Sequence, residues 1–330
     1  MRTLLLVLLS NSVASASLSP RCVVEPVIAA AAVTAPSPPC HRAPARTEAA
    51  IAAAIAKRYE PEHDKGKSDV RFACDGLGPN IREVVIEEGS GHGGSLSLWR
   101  ARRTIAAKYD VRGIIYQDAS MARAAANPPY QLAIGTVSIP DLEFVRAALA
   151  ATVSEIVPPQ PPNTGGGMRV GGSSHDFHVL VRLTDDDGRV LERRYTGYEG
   201  FSDQSHYLGV VLASEALSSI TSIASAAGTP SDDDRALFNA RFAASVPHLD
   251  DPFYWWVTER LVDLARYLGS PATITGLLTR LTVAKPDRSK LDTRANAVDA
   301  LARITGWDAR SGGRSVADAA KLYLAECQSK

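Results

Sequence analysis

From residue 69 onward, apolar side chains recur at short range between clusters of turn-forming residues. VRFAC (70–74), IREVVIEE (81–88), SLSLWRAR (95–102), VRGIIYQ (111–117) and YQLAIGTVSI (130–139) are short, β-branched or aromatic, and bounded by Gly, Pro, Asn or Asp. This pattern predicts five strands. Pro140 and Asp141 then open a predicted helix, PDLEFVRAALAATVSEI, with Leu142, Val145, Leu149 and Val153 on one face. A Pro/Gly-rich stretch at 158–174 is expected to be a long loop. After it Phe177, Val179, Val181 and Leu183 alternate inward, DDDG turns, and RVLERRY returns, which predicts a hairpin.

Past residue 200 the period becomes helical. Val210, Ala213, Leu217, Ile220 and Ala224 make one stripe, and a second helix is expected from Ser231. A third is capped by Asp251 with Pro252 in its first turn, and carries Phe253, Trp256, Val257, Arg260, Leu261, Leu264 and Leu268 in register. PATITGLLTRL, TRANAVDALARITGWD and VADAAKLYLAEC continue the helical pattern, the last with Val316, Ala319, Ala320, Tyr323, Leu324 and Cys327 together. Near the start, Thr47 is the expected cap of a short helix, EAAIAAAIAKRY. The expectation is an α+β fold. An antiparallel-sheet domain covers 46–200, and an all-helical domain covers 201–330.

The first residues change the picture most. Arg2, the apolar run LLLVLL and the small-residue pattern ASA at 14–16 read as a signal peptide cleaved after Ala16, followed by an Ala/Pro-rich tether over 17–45. The apolar run is too short to span a bilayer, so a transmembrane anchor is not expected. A secreted or periplasmic protein follows as the expectation. In an oxidising compartment the four cysteines permit two disulfides, and Cys22–Cys40 with Cys74–Cys327 is the preferred pairing. Lys plus Arg equals Asp plus Glu, 36 against 36, which argues against a nucleic-acid partner. The densest basic run, RARR at 100–103, is too short to reverse that reading.

LARYLG at 264–269 returns as LARITG at 301–306, and between them come SPATITGLLTRL and LDTRANAVDALARITG. This order resembles the HEAT-like repeats of the phycobilisome-lyase type over roughly residues 254–308. Asp292, Arg294, Ala297, Ala300 and Leu301 match its D-x-R-x-x-A-x-x-A-L cadence. The resemblance implies helical hairpins with close Ala-lined contacts, and a role in protein–protein binding, with Arg294 and the off-stripe Trp255 as surface candidates. Too few units are present for a free-standing solenoid, so the hairpins are expected to pack on the rest of the protein.

Catalytic signatures are sparse. GSGHGG at 89–94 satisfies G-x-G-x-x-G after a strand, but the alternating SLSLWRAR that follows predicts a hairpin rather than the helix a dinucleotide requires. GKS at 66–68 has Pro61 where a phosphate loop needs glycine. His175 and His178 point to opposite faces of a strand, so neither a metal nor a cofactor is expected. Asp176 and His178 share a face and, with His92 in the glycine loop, are the candidates for an alternative reading as a hydrolase. Asp185–Asp187 and Asp232–Asp234 are explained by turn and helix-cap chemistry. Glu83 and Glu87 are a carboxylate pair without a fingerprint. The favoured reading is an exported binding or scaffold protein whose partner is another protein.

Overall fold

Seven antiparallel strands form the central sheet of the computed structural model. It describes residues 41–59, 69–90, 95–105, 108–116, 128–154, 176–198, 207–248, 255–282 and 293–328. In chain order the strands are β1 (Asp69–Phe72), β2 (Ile81–Ser90), β3 (Ser95–Arg103), β4 (Tyr109–Tyr116), β5 (Tyr130–Val137), β6 (Ala151–Ser154), β7 (Asp176–Asp185), β8 (Val190–Tyr198) and β9 (Ser225–Ala226). The large sheet runs β8-β7-β2-β3-β4-β5-β9, while β1 and β6 pair apart from it. The β7–β8 hairpin turns through Gly188 at φ +84°, a backbone conformation that suits glycine. The expected signal peptide, most of the expected tether and the expected 158–174 loop lie outside the described residues.

Both faces of the sheet are covered, and this decides the fate of its polar residues. On one face lie α1 (Ala45–Tyr59), α2 (Leu142–Ala150), α3 (Tyr207–Ala216) and α4 (Ser218–Thr221), packed on Val84, Ile86, Trp99, Val179, Val181 and Leu183. At the crossing of α2 and α3, a Cβ on Gly209 would stand 2.4 Å from the carbonyl of Ala148, so only glycine permits this approach. On the other face lie α5 (Asp232–Ser245), α6 (Trp255–Leu268), α7 (Ile274–Thr282), α8 (Thr293–Thr305) and α9 (Val316–Gln328). Their stripes share one core with Leu96, Leu98, Ile114, Tyr116, Tyr130 and Leu132 of the strands.

Three local expectations are corrected. Helix α1 begins at Ala45, and the amides of Thr47 and Glu48 donate to the carbonyl of Pro44, so Thr47 sits inside the first turn instead of capping it. Helix α2 keeps its Asp141 cap, whose carboxylate accepts from the Phe144 N–H, but it stops at Ala150. Residues 151–154 leave as β6, because β-branched Thr152 and Val153 complete a ladder with β1. The stripe past residue 200 is buried from Val210 to Ile220, yet the chain leaves the helix there and Ala224 is exposed beside β9.

Elements past residue 200 do not all lie together. Helices α3 and α4 follow that position in the chain but pack with α1 and α2, on the face opposite α5–α9. Helix α8 packs on α6, α7 and α9, whereas α6 and α7 have little contact with each other.

Candidate functional site

Beneath the α5–α9 layer the sheet carries a buried polar cluster. Glu87 on β2 is 0% exposed, with Arg241 Nε of α5 at 2.9 Å and His178 Nε2 of β7 at 2.8 Å from its two oxygens. His178 Nδ1 lies 2.6 Å from Thr196 Oγ1, and its ring meets the Trp256 ring edge-on. The Arg260 guanidinium stacks over that indole, 4.6 Å from the ring centroid. Burial pushes the Glu87 carboxyl upward, but the charges and hydrogen bonds of Arg241 and His178 outweigh it and hold the group well below the usual carboxylate range. Glu87 is therefore an anion held by two partners, and His178 is closed off from solvent. A general base must reach its substrate's proton, and this imidazole is walled in by its neighbours.

On the opposite face the sheet ends in a cleft of about 380 Å³ beside α3. The face's inward row is apolar at Val84, Ile86 and Trp99, then becomes polar toward the β2–β3 turn. There Glu88 stands opposite Ser97 and Val179, and Ser90 stands opposite Ser95 and Phe177. Helix α3 supplies the wall with Val211, Ser214 and Glu215. The Ser214 hydroxyl donates to Oε1 of Glu88, tying helix to sheet across the cleft. Gly89 closes the back: a Cβ there would stand 2.8 Å from the Ser95 carbonyl and 2.9 Å from the Trp256 ring. The cleft thus pairs hydroxyls and carboxylates with an apolar edge of Phe177, Val179 and Val211.

The structure separates the residues singled out from sequence. His178 contributes to the rim of this cleft, but its ring belongs to the buried cluster behind it. His92, His175, Cys22, Cys40 and the GKS run lie outside the described residues, as do the side chains of Asp176 and Trp255. Trp256 is core, and Arg294 lies half-buried near the start of α8. Glu83 accepts from Arg102 on β3 at 2.8 Å and is not paired with Glu87. The RARR run is neutralised: Arg100 faces Asp233, Arg102 faces Glu83, and Arg103 faces Asp186. Asp234 completes a capping box with Ser231, and Asp185 accepts from the N–H groups of Gly78 and Arg189 at the hairpin turn. Neither Cys74 nor Cys327 is a free thiol, and the two do not stand at disulfide distance from one another.

Sequence reasoning missed Glu88, Ser214 and Glu215. The available signal was a break in pattern: polar residues at 88, 90, 95 and 97 continue the core-facing alternation of the strands, and Ser214 adjoins the apolar stripe of α3. Among the described residues no group of three or more His, Cys, Asp or Glu side chains is placed to hold a metal ion. No helix there is long and apolar enough to cross a membrane. No family of known proteins, no curated protein and no solved structure matches this chain.

Proposed function

We propose that this is an exported binding protein that holds a small polar ligand in the cleft between α3 and the serine-lined end of the sheet. The observation that carries the reading is the cleft itself. Its volume of about 380 Å³ falls within the size range of small-molecule sites, and its lining combines an apolar edge with convergent polar groups. Export rests on the signal-like segment at 1–16. A protein-docking role for the HEAT-like helices has weaker support. Their apolar stripes are buried against one another and in the core shared with the sheet, and among the described residues the large exposed apolar side chains Ile105, Ile134 and Val190 all lie off the helices. The test is a small-molecule screen by ligand-observed NMR on the full chain, beside Val211→Trp, which fills the cleft. Ligands lost in the variant support the reading, and ligands held equally by both proteins refute it.

One observation favours a second reading. A serine hydroxyl bonded to a carboxylate is a nucleophile–base arrangement, so Ser214 with Glu88 would make a hydrolase of the same cleft. A fluorophosphonate probe that labels Ser214 would select this reading, and an unlabelled protein would remove it.

A further inference from the structure

Glu88 differs from the other enclosed acids of this protein. Glu87 is matched by Arg241, Asp75 by Arg146, Asp185 by Arg189 and Asp234 by Arg112. Glu88 is half-buried and forms no ion pair with any described residue; its side-chain partner is the Ser214 hydroxyl. Taking a carboxylate partly out of water is costly unless a cation or several donors compensate. One hydroxyl occupies one of about four acceptor positions on an ionised carboxylate. Among the described residues its lining includes the oxygens of Ser90, Ser95 and Ser97 and the side chain of Glu215, and no Lys or Arg side chain. Phe177, Val179 and Val211 provide an apolar strip alongside.

We infer that the ligand of this cleft is a small organic cation, an amine or guanidinium joined to an apolar segment, with Glu88 as its counter-ion. The inference rests on the binding-protein reading of the cleft. The ammonium or guanidinium N–H groups donate to Glu88 and the serine oxygens, and the hydrocarbon part lies against Phe177 and Val211. An anion is disfavoured by the Glu88 carboxylate. A neutral polyol would satisfy the serines but leave Glu88 without its counter-charge.

The experiment uses the full chain and probes of one hydrocarbon length: butylamine and butylguanidine, with butanol and butyrate as neutral and anionic counterparts and methyl glucoside as a polyol. Binding is read by saturation-transfer NMR at low and high salt. The expected result is binding of the two cations only, weakened by salt. Glu88→Gln keeps the shape and removes the charge. It should weaken cation binding by roughly 10- to 100-fold, as expected for loss of a charged hydrogen bond. Glu83→Gln, which removes a β2 carboxylate paired with Arg102 outside the cleft, serves as a second variant and should retain salt-sensitive cation binding; thermal melts confirm that both variants are folded. Cation binding that is unchanged in Glu88→Gln overturns the inference. Binding of the glucoside or butanol but not of the amines overturns it while leaving the cleft as a binding site. Binding of no class, in a protein that melts cooperatively, overturns both.

Discussion

Replacing Arg241 with methionine would test whether the buried cluster joins the helical layer to the sheet. The substitution keeps most of the hydrocarbon stem and removes the cation 2.9 Å from Glu87, a carboxylate with no exposure. Removing one partner of a buried pair typically costs about 3–5 kcal/mol, because the other charge is left uncompensated. At roughly 2–4 °C per kcal/mol for a domain of 150–250 residues, the melting temperature should fall by roughly 6–20 °C. Urea denaturation at pH 7 followed by circular dichroism gives the free energy, and the double variant Glu87→Gln/Arg241→Met should recover part of the loss. The pH dependence carries the sign. Glu87 titrates below its ordinary value of 4.5 when folded, so its stabilisation is present above that pH and fades as pH falls toward the lower folded value. The gap between wild type and Arg241→Met should therefore narrow below about pH 4.5. A loss under about 1 kcal/mol, well short of the range for a buried pair, would refute the reasoning, as would a gap that does not change with pH.

Further outcomes follow from close contacts and caps. Gly89→Ala should destabilise by about 1–3 kcal/mol, as overpacking does. Its new Cβ meets backbone and the Trp256 ring, and an altered near-ultraviolet signal would report the displaced indole. Ser231→Ala removes the side-chain acceptor of the Asp234 N–H and should cost about 1 kcal/mol in a thermal melt. For the cysteines, the Asp75 N–H donates to the His41 carbonyl at 3.1 Å, which brings the chain beside Cys40 to the chain beside Cys74. Non-reducing peptide mapping is expected to yield Cys40–Cys74, leaving Cys22 with Cys327; a Cys74–Cys327 peptide would refute this.

Much of the fold was legible because its signals are local. Strands β2 to β5 start or end within two residues of their sequence patterns, since alternation and turn residues act over a few positions. The Ser231 start of α5 and the stripes of α6 to α9 follow from capping and helical period in the same way. The boundary of α2 was not legible, because Ala151–Ser154 becomes a strand only when β1 is there to pair with it. His178 is a candidate base on sequence because it shares a strand face with Asp176. The second helical layer buries it against Glu87 instead.

What the sequence determined alone is the identity of most elements, the mixed α+β class and the neutral charge balance of the chain. The tertiary structure decided which residues share a site. Glu88 and Ser214 are 126 positions apart, and Glu87 and Arg241 are 154 apart. Periodicity carries information along a few turns of chain. Whether an acid meets an arginine, a hydroxyl or an open cleft depends on which layer covers its face of the sheet, and that is fixed only by long-range packing.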